Sequence, residues 1–191
     1  MVKAVSGDLN DFRMIQSSAG IHKFEPSASD VTAVYDADAF VYDSRILESW
    51  AGSLNPSLEK SKLQVLEVSV GMQLDKVVGL EEVSATYGVD EKTLYGPHTL
   101  LDPNKVAEEV QFIAQLLSNV DGENAINYKK NATKFAKKTK ELSRQYQGVF
   151  NELRNKTFVT QHTAFSYLAK PFGLKQLGIS GISPDQEPSL R

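Results

Sequence analysis

The sequence predicts an α/β fold: a mainly parallel sheet lobe with helices on both sides, a long linking helix, and the start of a second α/β lobe. Short runs rich in β-branched and aromatic residues alternate with amphipathic stretches, a pattern typical of βαβ units. One amphipathic stretch is long, and residues 157–170 then change from a strand pattern to a helix pattern. We therefore predict an N-terminal α/β lobe over residues 1–122, the linking helix over 123–155 and the beginning of a C-terminal α/β lobe over 156–191.

The first predicted elements are short. Residues 2–5 favour a helical turn, and the apolar run at 12–15 predicts a strand. Ser27 is followed three residues later by Asp30, which is the N-cap pattern of a helix, and apolar residues then recur at helical spacing. We expect a helix to begin directly after Ser27.

Two strands and a helix are predicted next. Residues 38–42 and 63–68 have the composition and alternation of strands. Between them lies a helix through Ile46, Leu47 and Trp50, which we expect to end at Gly52. This alternation of strand and short helix is the reason for predicting a parallel sheet.

Two long helices follow. Asp102 is an N-cap candidate, and Pro103 suits the first position of a helix. From about residue 123 to 154 the apolar residues keep to one face of a single helix, which would be roughly 45 Å long at 1.5 Å per residue. A helix of that length could bridge two lobes.

The chain then returns to strand patterns. Residues 157–161 predict a strand, His162 lies on the hinge, and a helix begins at Thr163. Pro171 should stop that helix at about Ala169. Residues 176–180 predict another strand, after which a loop at 183–189 leads towards a further helix start.

Composition excludes several classes of partner. A net charge of −3 argues against nucleic acid, because phosphate binding needs a concentrated basic face. The lysines between residues 129 and 140 are offset from the apolar stripe of the linking helix, so we interpret them as a solvated face.

No run approaches the roughly 18 apolar residues of a membrane span, and the first residues lack an export signal. Without cysteine, a transition metal must be held by His, Asp or Glu.

All three histidines fall in predicted loops that precede helices: His22, His98 and His162. Neutral imidazole is a good zinc ligand, and loops at one end of a parallel sheet bring distant residues together. The spacings of 76 and 64 residues match no compact metal motif. The residues alone therefore leave open a shared metal site and three separate surface or hydrogen-bonded histidines.

Several stretches resemble one family, the zinc-binding and laminin-binding lipoproteins that serve metal ABC importers as substrate-binding proteins. The resemblance is strongest in two segments, TFVTQHTAFSYLA at 157–169 and FGLKQLGISGISPDQEPS at 172–189. Residues 20–27 match the family's G-x-H-x-x-E-P-S, and residues 96–103 match its D-P-H-x-W-x-D-P in part. The resemblance covers nearly the whole chain, and it implies the fold of helical-backbone metal receptors.

The resemblance implies a zinc site with named ligands. His22, His98 and His162 all fall on the family's ligand positions, and histidine at the third position marks its zinc importers, as imidazole suits zinc. The family's fourth ligand is a carboxylate beyond residue 191, absent from this chain, so we expect truncation at both ends. We also expect zinc affinity well below that of a complete relative.

Three departures from the family's pattern bear on the site. Gly96 replaces the usual Asp and Leu100 a frequent Trp, which predicts looser packing under His98. Asp43 stands where close relatives tend to carry a histidine. The acidic passage at 71–96 contains no histidine, which resembles the laminin-binding branch of the family rather than its members with a His-rich loop.

The implied function is delivery of Zn²⁺ to the membrane permease of an ABC importer, from an extracytoplasmic, lipid-anchored position in the full-length family. This chain itself is expected to carry no signal or anchor. Two alternatives stay open: an adhesin that binds laminin or extracellular matrix, and a truncated product with impaired metal binding.

We expect no enzymatic activity and assign no catalytic residue. Three imidazoles with a water molecule can also form a hydrolytic zinc site. Such a site needs a general base, and the sequence offers only Glu25 and Glu187, neither of them supported by a motif.

Overall fold

The computed structural model of the protein describes residues 1–15, 24–58, 61–76 and 95–179. The chain divides into two compact units. Unit 1 consists of Met1–Met72 and Ala107–Lys138, and unit 2 consists of Gln73–Val106 and Thr139–Arg191. The lobe boundaries predicted at residues 122 and 155 stay a prediction.

Helices alternate with short parallel strands. The helices are α1 (Val2–Ser6), α2 (Ala28–Tyr35), α3 (Ser49–Leu58), α4 (Pro103–Val120), α5 (Ala125–Asn151) and α6 (Ser166–Ala169). The strands are β1 (Ala39–Tyr42), β2 (Gln64–Glu67), β3 (Thr157–Thr160) and β4 (Lys175–Gly178). β1 pairs with β2 and β3 with β4, both in parallel. The predicted α/β class with parallel strands and a long helix is confirmed.

The start of α2 is a complete capping box. The Ser27 hydroxyl accepts a hydrogen bond from the Asp30 backbone N–H at 3.2 Å, and the Asp30 carboxylate accepts one from the Ser27 N–H at 3.1 Å. Two N–H groups that the first helical turn leaves without partners are thereby satisfied. The predicted start of this helix after Ser27 is confirmed.

Residues 12–15, predicted as a strand, have no strand structure. Phe12 and Met14 are 49% and 68% exposed, and Ile15 alone of this segment packs, partly buried, against a hydrophobic core cluster. An apolar run becomes a strand only where a neighbouring strand and a core receive it.

One core cluster of unit 1 forms around β1. Phe40 and Tyr42 are buried, and the Phe40 ring lies 5.8 Å from the Trp50 ring on α3. Leu58, the last residue of α3, is 1% exposed in the same cluster. The prediction that this helix ends at Gly52 is therefore wrong, because burial of Leu58 stabilises the helix beyond the glycine.

A second core cluster of unit 1 joins α1, α4 and α5. Val5, Val110 and Tyr128 are fully buried in it. The Tyr128 hydroxyl contacts Asp121 Oδ2 at 2.6 Å and Asn10 Oδ1 at 2.9 Å, which satisfies the polar end of this buried ring. The long helix predicted from about residue 123 to 154 is confirmed as α5.

The lysine-rich face of α5 is exposed, as predicted. It consists of Lys129, Lys130, Lys134, Lys137, Lys138 and Lys140. Among the described residues, no helix is long and apolar enough to cross a membrane.

In unit 2, α4 begins and α6 ends as the sequence predicts. Asp102 Oδ1 accepts a hydrogen bond from the Asn104 N–H at 2.8 Å, and Pro103 is the first residue of α4. The helix α6 ends at Ala169, and a 3₁₀ turn containing Pro171 follows it. Gly173 then takes a left-handed conformation with φ 63° and leads the chain into β4.

Candidate metal centre

His98 lies in unit 2 at the start of a short 3₁₀ turn, Thr99–Leu101, which leads into α4. Its carbonyl accepts a hydrogen bond from the Leu101 N–H at 3.1 Å. His98 is 7% exposed, and Thr99 beside it is fully buried. The backbone at His98 is therefore held by a turn hydrogen bond and by the burial of His98 and Thr99.

The packing around His98 is close, contrary to the looser packing that Gly96 and Leu100 predicted. A Cβ atom at Gly96 would lie 3.0 Å from Cε2 of Tyr167, which is 3% exposed. The missing side chain at residue 96 thus leaves room for the Tyr167 ring. Leu100 is 38% exposed and contributes little to this packing.

Tyr167 and Asp75 connect the segment before His98 to α6. The Tyr167 hydroxyl accepts a hydrogen bond from the Asp75 N–H at 2.8 Å, and the Asp75 carbonyl accepts one from the Gly96 N–H at 3.0 Å. The Asp75 carboxylate pairs with Lys170. One side of the His98 loop is therefore tied to the helix that follows His162.

His162 lies two residues after the end of β3. Its carbonyl accepts hydrogen bonds from Thr160 Oγ1 at 2.8 Å and Gln176 Nε2 at 3.0 Å. Residues 161–165 form bends and turns, and α6 begins at Ser166. The predicted hinge at His162 is confirmed, but the helix begins three residues later than expected because side chains, not helical hydrogen bonds, satisfy this backbone.

The structure brings His98 and His162 together. Their ring centroids lie 5.9 Å apart, with the ring planes inclined at 59°. Two imidazoles that each bind one zinc ion at about 2.0–2.1 Å have ring centres about 5–6 Å apart in tetrahedral geometry. The separation of this pair is compatible with two imidazoles that bind one ion.

The third predicted ligand, His22, lies outside the described residues, so the three-histidine set stays a prediction. Within the ranges described above, no group of three or more His, Cys, Asp or Glu residues could hold a metal ion. Of the two candidate general bases, Glu187 also lies outside the described residues, and Glu25 is exposed.

Asp43 occupies an unusual acidic environment in unit 1, directly after β1. Both of its carboxylate oxygens are buried, and neither has a hydrogen-bond partner in the part of the chain that the structure describes. Burial, followed by the negative charges of Glu109, Glu48 and Glu67, raises the pKa of Asp43 to about 8. At neutral pH this side chain is therefore mainly a neutral carboxylic acid.

Two neighbouring carboxylates are satisfied by other groups. Glu48 accepts hydrogen bonds from the Asp43 and Ser44 N–H groups, although its burial still raises its pKa. Burial also acts to raise the pKa of Glu67, but hydrogen bonds from Arg45 and Tyr42 outweigh burial and lower it. The Arg45 cation is therefore in an ion pair with Glu67.

The residues that hold the histidine loops in place were not predicted from the sequence: Asp75, Thr160, Tyr167 and Gln176. No local motif marks them, since each acts on a residue distant in sequence or through a side-chain bond to the backbone. Alternation in the strand predicted at 176–180 places Gln176 on the polar face, opposite to Leu177, yet Gln176 is 3% exposed in the structure and Leu177 is 46% exposed.

Comparison with known proteins gives a consistent result. Residues 1–191 match the family model described as ZnuA, zinc-uptake complex component A, periplasmic. The chain is 34% identical over 200 residues to zinc-binding protein AdcA of Streptococcus pyogenes, covering 99% of this chain and 39% of the relative. It is 36% identical over 179 residues to high-affinity zinc uptake system protein ZnuA of Bacillus subtilis, covering 92% of this chain and 56% of the relative.

Solved structures show the same fold at higher identity. A Zn(II)-bound variant of AdcAII from Streptococcus pneumoniae is 65% identical with a TM-score of 0.90, and the match covers 100% of this chain and 68% of that one. The laminin-binding protein Lmb of Streptococcus agalactiae is 55% identical with a TM-score of 0.85, covering 100% of this chain and 67% of that one. The chain thus spans between about two fifths and two thirds of its relatives' length. With a family model matched along all 191 residues, this chain belongs to the family of periplasmic zinc-uptake components typified by ZnuA.

Proposed function

We propose that this chain binds Zn²⁺ through His98, His162 and His22, as the substrate-binding part of a zinc importer. The ion is the transported substrate in this proposal. Three neutral imidazoles provide three of the four positions of a tetrahedral zinc site and leave one position for a further ligand or water.

The observation that carries the proposal is the 5.9 Å separation of the His98 and His162 rings. These residues are 64 positions apart in sequence, and each lies in a loop held by hydrogen bonds to another segment of the chain. Loops fixed in this way present their imidazoles without a large ordering cost when the ion binds. The names of the relatives, which are zinc-binding and zinc-uptake proteins, support the choice of metal.

Isothermal titration of metal-free protein with ZnCl₂ tests this proposal. We expect one zinc ion per chain, and we expect His162→Ala and His98→Ala each to weaken binding by about 100-fold or more, above the 10–100-fold typical of residues that only support a ligand. His22→Ala should have a similar effect and is the direct test of the third ligand.

Gln161→Ala is the matched control, since Gln161 is an exposed neighbour of His162 in the same loop. Its zinc affinity should equal that of the parent. A parent protein that binds no zinc, or a His162→Ala variant with unchanged affinity, would overturn the proposal.

We further infer an extracytoplasmic location and a membrane permease as the receiving partner. The matched family is described as periplasmic and as a component of a zinc-uptake complex, which supports both inferences. The zinc-loaded protein should bind the purified permease of its importer more tightly than the metal-free protein does. Equal or absent binding by the two forms would contradict the partnership.

Laminin binding is a second candidate function, favoured by the 55% identity to Lmb, a protein described as having adhesin and metal-transporting activity. We assign no residue to it. Zinc-loaded and metal-free protein should be tested on surfaces coated with laminin and with serum albumin. Binding to laminin above the albumin background would support the adhesin function, and its absence in both forms would remove it.

A further inference from the structure

Gln176 is a buried polar side chain that contacts the backbone of a proposed zinc ligand. It lies on β4, directly opposite Phe158 of β3, and is 3% exposed. Its Nε2 donates hydrogen bonds to the His162 carbonyl at 3.0 Å and to Thr160 Oγ1. Its Oε1 accepts one from Ser166 Oγ at 3.4 Å. Both ends of the amide are therefore used at the hinge between β3 and α6.

Side-chain hydrogen bonds hold the chain where the backbone pairing of β3 with β4 ends. Among the described residues, the last backbone hydrogen bond between these segments is donated by the Ile179 N–H to the Thr160 carbonyl at 2.9 Å. His162 is two residues further on, and two side chains, Thr160 and Gln176, satisfy its carbonyl. Such a side-chain network fixes a turn that has no regular secondary structure of its own.

Fixing a carbonyl also fixes the side chain attached to the same residue. The two donors hold the peptide plane that follows His162, and this restricts the backbone torsion that directs its Cα–Cβ bond. The imidazole is then presented in a narrow range of directions. Supporting groups of this kind are a general means of orienting metal-binding histidines.

We propose that Gln176 is a positioning residue for zinc binding by His162, acting through the His162 carbonyl and assisted by Thr160. The inference rests on the proposed zinc function. Glutamine suits the position because one amide supplies two N–H donors and an acceptor to three partners at once. Leucine has a similar volume but offers none of these groups, and asparagine is one methylene too short to reach them.

Three variants separate positioning from mere structural support. Gln176→Leu removes every hydrogen bond of the amide, and Thr160→Val removes the second donor to the same carbonyl. Thr163→Val is the matched control, because the buried Thr163 hydroxyl beside His162 has no hydrogen-bond partner among the described residues. Circular dichroism and thermal unfolding of the metal-free forms identify any variant that fails to fold.

The first measurement uses metal-free protein. Amide hydrogen exchange across residues 160–166 should be faster in Gln176→Leu and Thr160→Val than in the parent and in Thr163→Val, while exchange in α5 should be unchanged. If exchange in the loop is equally slow in all four proteins, the hydrogen bonds do not hold the loop and the inference fails.

The second measurement is zinc affinity in proteins with and without the His162 imidazole. Gln176→Leu should weaken binding about 10–100-fold in the parent and produce no further change in a His162→Ala background, since it acts through that imidazole. An equal loss in both backgrounds, or none in the parent, would overturn the inference while leaving the zinc function intact. A parent that binds no zinc would overturn the function itself. Thr160→Val provides the same test if Gln176→Leu is unfolded.

Discussion

The carboxyl group of Asp43, at the end of β1, interacts electrostatically with that of Glu109 on α4, and both groups are buried. The Arg45 cation nearby pairs with Glu67 instead. Burial without a counter-charge favours the protonated form of a carboxyl group, which is why Asp43 holds its proton at neutral pH.

This arrangement makes the stability of unit 1 depend on pH in a predictable direction. The pKa of Asp43 is about 8 in the folded protein, against an ordinary value of 3.8. Between these two pH values the folded state holds a proton that the unfolded state has lost. The contribution of Asp43 to the free energy of unfolding is therefore full below pH 3.8, falls as pH rises to about 8, and then levels off.

Asp43→Asn tests this dependence, because asparagine resembles the neutral acid and does not ionise. At pH 9 the variant should be more stable than the parent by several kcal/mol, and the difference should vanish towards pH 4. Urea unfolding at several pH values measures it. Asp11→Asn, at an exposed carboxylate, is the control, and its free energy of unfolding should change with pH as that of the parent does. Parallel curves for Asp43→Asn would show that Asp43 is ionised when folded.

The capping box of α2 should contribute measurably to stability. Ser27→Ala removes the hydroxyl that accepts from the Asp30 N–H, and we expect a loss of about 1 kcal/mol in the free energy of unfolding. Ser57→Ala, at an exposed position of α3, should change it by no more than about 0.5 kcal/mol. Equal effects of the two substitutions in urea titrations would contradict a specific capping role.

The same substitution at two glycines should have opposite effects. Gly148 lies inside α5, and a Cβ there would meet nothing within 4 Å, so Gly148→Ala should stabilise the protein by about 0.5–1 kcal/mol. Gly173 has φ 63°, where an L side chain is strained, so Gly173→Ala should destabilise it by about 1 kcal/mol. Thermal unfolding of both variants compares them directly, and shifts of the same sign would refute this.

Tyr167→Phe should loosen the loop before His98. The change removes the hydroxyl that accepts from the Asp75 N–H at 2.8 Å and leaves a donor without that partner, at a cost of about 1–2 kcal/mol. Tyr35→Phe is the control, since Tyr35 is 46% exposed. Amide exchange at Asp75 should increase in the first variant only; unchanged exchange would mean that water replaces the hydroxyl without loss.

Local elements were predictable where their causes are local. Ser27 with Asp30, Asp102 with Pro103, and Pro171 each mark a helix boundary through groups within a few residues, and the structure confirms all three. Where the cause was distant, prediction failed. The helix predicted to end at Gly52 continues to Leu58 because a core formed by other segments buries Leu58.

For the proposed site, the sequence by itself determined which residues are candidate ligands, because the chain has no cysteine and its three histidines supply the imidazole nitrogens that suit zinc. Tertiary structure alone decided that His98 and His162 lie 5.9 Å apart, and that Gln176 and Thr160 hold the second of them. Ligand chemistry belongs to single side chains and is visible in a sequence. The distance between side chains 64 residues apart depends on how the intervening chain packs, which no local pattern records.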